Sequence, residues 1–120
     1  MAGITTKNVG TPDEVRELPD GKGRIELVDL GSGPVARATF EPGWKWSEHV
    51  KPMAGTDSCQ APHVGYVISG RMRVRMDDGQ EVEVGPGDFM KIDAGHDAWV
   101  LGDEPCVNVD WQGMTDYAKG

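Results

Sequence analysis

At 120 residues and 13.0 kDa the chain has the size of one domain, enough to bury a core without disulfide staples. A formal charge of -8 and a pI near 4.7 argue against nucleic acid and anionic membranes as partners, because both are bound through an excess of Lys and Arg. The opening MAGITTKNVG has no apolar run of signal-peptide length, and no stretch approaches the ~18 apolar residues of a membrane span, so the expectation is a cytoplasmic protein with Cys59 and Cys106 as free thiols.

In chain order, Thr11-Pro12-Asp13-Glu14 offers a capping residue, a proline at the first helical position and an acidic residue three after the cap, which predicts a short helix over 12–18. Alternation then begins. Short runs rich in β-branched and aromatic residues occupy 24–30, 34–40, 44–50, 63–69, 71–76, 81–84, 88–92, 98–101 and 106–111, and turns such as GSG, EPG, DDG, GPG and DAG separate nearly all of them. Many short strands punctuated by 17 glycines and 8 prolines predict an antiparallel all-β sandwich or barrel with its core over about 24–111. MRVRMDDGQEVEV is the clearest hairpin: Asp78-Gly79 suits a tight turn, and Arg71, Arg73, Arg75, Glu81 and Glu83 share the solvent face. One long connection, 51–62, has no strand pattern and reads as a lid, binding loop or dimer contact. The ending GMTDYAKG has room for one helical turn.

Groups able to bind a metal concentrate in PGWKWSEHVKPMAGTDSCQAPHVGYVISG, over 42–70: Glu48, His49, Cys59 and His63. His96, the third and last histidine, follows GDFMKIDAG. Gly43 is followed by five residues and then His49, and His63 by six residues and then Gly70. With the Gly87-Asp88 strand, Gly95 and His96, this spacing resembles the paired motifs of the cupin superfamily, and the resemblance covers about 40–111. The middle departs from the family pattern. Lys51 stands where a second histidine is expected, His63 stands where a glutamate is expected, and the spacer is long.

The resemblance implies a jelly-roll β-barrel, a homodimer, and a divalent metal (Zn, Fe, Ni or Mn) held by His49, His63 and His96 at the barrel mouth, with Glu48 or Cys59 as an extra ligand. A thiolate ligand would favour zinc. The expected function is a metal-dependent small-molecule enzyme of dioxygenase, isomerase or lyase type, with Tyr66, Glu48 and Lys51 as candidate acid/base or supporting groups. The alternative is a non-catalytic small-ligand binding or sensing module. Were 44–50 a regular strand, Glu48 would share a side with Trp44 and Trp46, and His49 would face the other way; the motif spacing selects His49 as the inward residue. Trp44, Trp46, Trp99, Trp111 and Tyr66 are candidates for lining a pocket, with core or interface packing the simpler reading. Cys106 alternates with Asn108 and Asp110 on one strand face and reads as packing.

Overall fold

Alternation sets the fold. A computed structural model describes residues 3–115, 117 and 118. Among these described residues nine strands form: β1 (Glu14–Glu17), β2 (Gly23–Asp29), β3 (Pro34–Phe40), β4 (His63–Ser69), β5 (Arg71–Met76), β6 (Glu81–Val84), β7 (Phe89–Ile92), β8 (His96–Leu101) and β9 (Cys106–Asp110). They make two antiparallel sheets, one of six strands in the order β1-β2-β3-β9-β4-β7 and one of three in the order β6-β5-β8. Inward positions recur every second residue, as the two-residue period of a strand requires. Ile25, Leu27, Ala36, Ala38, Phe40 and Val67 from the larger sheet meet Met72, Val74, Ala98 and Val100 from the smaller one. Among the described residues no helix is long and apolar enough to cross a membrane.

The β5–β6 hairpin forms as its sequence predicts, with Arg73 opposite Glu83 and Arg75 opposite Glu81. Ion pairs of Arg71 with Glu83 and of Arg73 with both glutamates lie on the solvent side, where screening leaves each worth little. Gly70 makes the sharp step from one sheet to the other. Its φ of 75° favours glycine, and Pro105 and Cys106 press so closely on it that a Cβ would collide with their backbone.

Two sequence expectations are corrected. No helix forms over 12–18. Asp13, expected in the first helical turn, bonds across to β2 instead: its backbone N–H donates to Leu27 O at 2.8 Å, while its carboxylate accepts from Asp29 N at 2.8 Å and Lys7 Nζ at 2.7 Å. These bonds dock the segment on the sheet edge, and Glu14–Glu17 pairs with β2, so tertiary pairing overrides a local helix signal.

The run 44–50 is not a strand either. Lys45 makes one bridge to Trp99, and the chain then winds into the helical turns α1 (Trp46–His49) and α2 (Lys51–Ala54). The burial of Trp46, His49 and Val50 follows the i, i+3, i+4 spacing of a helix. Asp97 of β8 accepts the Ser47 N–H at 3.1 Å in the first turn, and the second turn stops at Gly55 with φ 74°. Asp116, Lys119 and Gly120 lie outside the described residues, and with them the helical turn expected over 113–120.

Candidate metal centre

His63 opens β4 and faces inward with Gly65 and Val67. Asp110 closes β9 and pairs in register with Gly65, which brings its carboxylate beside the imidazole. His63 Nδ1–H donates to Asp110 Oδ2 at 2.6 Å, and Asp110 Oδ1 accepts from the backbone N–H groups of Gln112 (2.9 Å) and Gly113 (3.1 Å). A carboxylate 1% exposed is therefore held on both oxygens. A Cβ on Gly113 would strike Pro62 O and the His63 ring, so glycine there lets the backbone close over the histidine.

His96 opens β8, and its Nδ1–H donates to Asp93 O at 2.8 Å. With Nδ1 of both rings engaged, Nε2 is the nitrogen left to act as a ligand, the orientation that outer partners impose on metal-binding histidines. Cys59 is fixed by backbone bonds to β8: its N–H donates to His96 O at 2.7 Å, and Gly95 N donates to Cys59 O at 2.7 Å. The result is a buried group of Cys59, His63 and His96 whose ligand atoms all lie within 4.8 Å of one another.

The donor set fits a zinc-type ion. Tetrahedral geometry with Zn–S near 2.3 Å and Zn–N near 2.05 Å puts sulfur and nitrogen roughly 3.6 Å apart; Cys59 Sγ stands 3.8 Å from His63 Nε2. The electrostatics agree. Burial pushes the Cys59 thiol up, but hydrogen bonds from His63 and His96 outweigh it and bring the pKa down to about 6. For His63, burial disfavours the charged ring, while the Asp110 and Cys59 hydrogen bonds more than compensate and raise it to about 9. For Cys106, burial outweighs a hydrogen bond with Asn108 and raises the thiol to about 11, which marks it as packing.

The cluster stands between two spaces. Outside it, Cys59 lines an open cleft of about 520 Å³ with Trp46, Val50, Met53, Gln112 and Tyr117. Inside, His63 and His96 line a space of about 30 Å³, the room of a single water, with Trp44, Trp46, Asn108 and Asp110. Trp46 and Tyr117 border both.

Of the sequence-predicted ligands, His63, His96 and Cys59 come together and His49 does not. The helical turn brings the His49 ring back onto its own backbone, with Nδ1 3.0 Å from Lys45 N and 3.1 Å from Lys45 O, and Cys59 takes the third place in the cluster. Glu48 is exposed on the same turn, and Lys51 Nζ lies 3.9 Å from Asp57. Tyr66 alternates to the outer side of β4, where its ring meets Phe89 at 4.7 Å. The tyrosine beside the site is Tyr117, 5.5 Å from the His63 ring and with a phenol whose pKa burial raises well above normal. Of the tryptophans, Trp44 and Trp46 are buried at the site, while Trp111 is 45% exposed.

Asp110 and Tyr117 are the residues the sequence reading missed. Asp110 left a signal, because it shares the inward face with Cys106 and Asn108 and a buried carboxylate needs a partner. Tyr117 lies beyond the last strand and left none.

Known proteins of the same architecture are widespread. KdgF from a Halomonas species aligns over 96% of this chain and 97% of its own, with a TM-score of 0.62 and 18% identity. The polyketide cyclase RemF from Streptomyces resistomycificus aligns over 90% of this chain and 78% of its own, with a TM-score of 0.62 and 16% identity. A cupin-like protein from Thermotoga maritima aligns over 78% of this chain and 69% of its own, with a TM-score of 0.54 and 15% identity. At these identities the likeness is one of fold. No curated protein matched the sequence. The family model described as "Cupin domain" matches residues 36–111, well over half of the chain, and the chain belongs to the cupin family.

Proposed function

We propose that this cupin is a metal-dependent small-molecule enzyme in which Cys59, His63 and His96 hold a divalent ion, with zinc favoured by the thiolate. One observation carries the reading: three buried ligand atoms lie within 4.8 Å, and each imidazole is locked through Nδ1 so that Nε2 is presented. Three protein ligands leave a coordination position free, the arrangement of catalytic rather than structural zinc sites. A zinc ion there would supply Lewis acidity or a water acidified to near neutrality. The protein's part is to orient and to screen. Asp110 fixes the His63 tautomer and strengthens it as a ligand, Asp93 O does the same for His96, and Trp44, Trp46 and Tyr117 limit access of bulk water.

Metal analysis of untagged protein tests this. Near-stoichiometric zinc is expected in the parent and in His49→Ala, with less than about a tenth retained in Cys59→Ser, His63→Ala and His96→Ala. Substoichiometric metal in the parent, or unchanged occupancy in those three variants, would overturn the proposal. With the metal in place, turnover of carbonyl and polyhydroxy substrates, and oxygen uptake, would sort lyase or isomerase chemistry from dioxygenation.

A further inference from the structure

We infer that the substrate of this site is an uncharged, largely apolar molecule carrying a hydrogen-bond-accepting oxygen, a ketone, ester or alcohol rather than a carboxylate or an amine. The inference rests on the metal reading for the position of the reacting group, and adds the class of molecule that reaches it.

The outer cleft of about 520 Å³ falls within the usual range of small-molecule sites. Among the described residues lining it, Cys59 apart, no side chain is charged. That is unusual in a chain where 27% of residues are charged. The walls are Trp46, Val50, Met53 and Ala54 and the polar, neutral Gln60 and Gln112. Among the described residues of this cleft, an anion would lose hydration and meet no counter-charge, and a cation would meet only the Cys59 thiolate.

A metal does not change that balance. The two positive charges of a zinc ion meet one negative charge on the Cys59 thiolate and one on Asp110, which is bonded to His63. The loaded centre carries no net charge with which to draw in an anion.

The oxygen is called for by Trp46. Its side chain borders both spaces and is 2% exposed, and its indole Nε1–H is buried with no acceptor among the described residues. A buried donor without a partner is costly, so an acceptor atom brought in by a ligand gains more there than at a solvated donor. Trp44, which also borders the inner space, has a second indole N–H with no acceptor among the described residues.

Three probes of similar size separate these features: acetophenone (neutral, with an acceptor), benzoate (anionic, with acceptors) and ethylbenzene (neutral, with none). Affinities and the Trp46 indole N–H resonance would be followed by NMR in zinc-supplemented and in EDTA-treated protein, with zinc content measured on the same samples. Acetophenone is expected to bind about tenfold more tightly than benzoate and about fivefold more tightly than ethylbenzene, and to move the Trp46 resonance downfield. Trp46→Phe should erase the difference between acetophenone and ethylbenzene. Ala54→Trp, which fills the cleft from an exposed position, should weaken acetophenone about tenfold at unchanged zinc content. Benzoate binding as tightly as acetophenone, a Trp46 resonance that does not move, or Ala54→Trp without effect would each overturn the inference. If Trp46→Phe does not fold, the probe comparison and Ala54→Trp still decide it. The two proposals fail separately: substoichiometric zinc with the acetophenone preference intact overturns the metal reading alone, and stoichiometric zinc with a benzoate preference overturns the substrate class alone.

Discussion

The site has two halves built by different means. His63, His96 and Asp110 stand at the ends of β4, β8 and β9, where the pairing of neighbouring strands sets the backbone. Trp46, His49 and Cys59 come from the connection between β3 and β4, which is held by two single-turn helices and two isolated bridges, Lys45 to Trp99 and Cys59 to His96. The strand half holds its own side chains through His63–Asp110 and His96–Asp93 bonds. The connection half borrows its order from β8: Asp97 accepts from Ser47 N, and Cys59 is tied by backbone bonds to Gly95 and His96. Rigid strands can present ligands without help, whereas a connection must be docked on them. Damage to the strand half should therefore spread to the connection, and damage to the connection should stay local.

The largest effect is expected from Asp110→Ala. The change removes the acceptor for His63 Nδ1–H and for two backbone N–H groups at a position 1% exposed. Loss of one partner from a buried charged pair costs about 3–5 kcal/mol, and loss of a metal ligand's supporting carboxylate costs about 10–100-fold in metal affinity. Denaturant unfolding and a zinc competition titration would read both. His49→Ala, in the connection half, should leave zinc affinity within about threefold, since the ring engages only the Lys45 backbone among its described partners. Equal losses in the two variants would erase the distinction between the halves.

The same division explains what the sequence disclosed. Strands β3 to β6 were readable to the residue, because one buried face imposes a strict two-residue period and Gly-rich turns mark the ends. His63 was readable with them, as a strand residue at a motif spacing, whereas His96 was readable only as the histidine directly after Gly95, two residues short of the strand expected over 98–101. The segment 44–50 misled because Trp44, Trp46 and Val50 satisfy alternation while Trp46, His49 and Val50 satisfy a helical period, and a window of seven residues cannot separate the two. With 44–50 read as a strand, the motif spacing selected His49 as the inward ligand and left Cys59 only an extra one. Only the backbone bridge from Cys59 to His96, a contact far apart in sequence, reverses that choice. The strand β1 was hidden for a similar reason. Asp13, inside the expected first helical turn, is instead engaged by Lys7 and Asp29, so its role is set by tertiary structure.

Arg16 tests how far the strand half extends. Arg16, on β1, is 8% exposed, and its guanidinium donates to Met114 O at 2.8 Å, Thr115 O at 2.9 Å and Tyr117 O at 2.7 Å. These bonds hold the chain after β9 so that Tyr117 lies against His63. Arg16→Ala should cost about 2–3 kcal/mol, since several bonds from a charged donor are lost and buried carbonyls are left unpaired. Faster amide exchange should be confined to residues 113–118 and their contacts. Exchange that rises evenly across both sheets would show instead that Arg16 stabilises the whole fold.

The link between the halves, Cys59 with His63, is read through pH in metal-free protein. A histidine raised from 6.5 to about 9 on folding contributes stability that is full below about pH 6.5 and lost as pH climbs through about 9. A thiol lowered from 9.0 to about 6 does the reverse: its contribution is full above about pH 9 and lost as pH falls through about 6. Across the shared window one declines as the other grows, because folding moves a proton from sulfur to imidazole with no net uptake. Stability of the parent should then be nearly flat from this pair. Cys59→Ser removes the thiol's limb and leaves His63 with Asp110, so its stability should fall as pH rises above about 6.5, by at most about 1.4 kcal/mol per pH unit. Parallel stability curves for the parent and the variant between pH 6 and 9 would rule out the coupled pair.

The smallest effects are expected where sequence reasoning placed acid/base groups and the fold does not. Glu48 is exposed on α1, Lys51 has 43% of its side chain exposed beside Asp57, and Tyr66 leans on Phe89 across the outer face. Glu48→Ala, Lys51→Ala and Tyr66→Phe should each stay within about 0.5 kcal/mol of the parent, the range of surface substitutions that break no buried partner. Zinc content should not change, because none of the three residues belongs to the Cys59–His63–His96 group. Glu48→Ala is the sharpest of these controls, since Glu48 is a carboxylate in the segment that the cupin resemblance marks for ligands. A fall in zinc content on its removal would mean that α1 swings its carboxylate inward when metal binds. The connection half would then be a mobile contributor to the site, and the docking bonds from Asp97 and His96 would have to break to allow it.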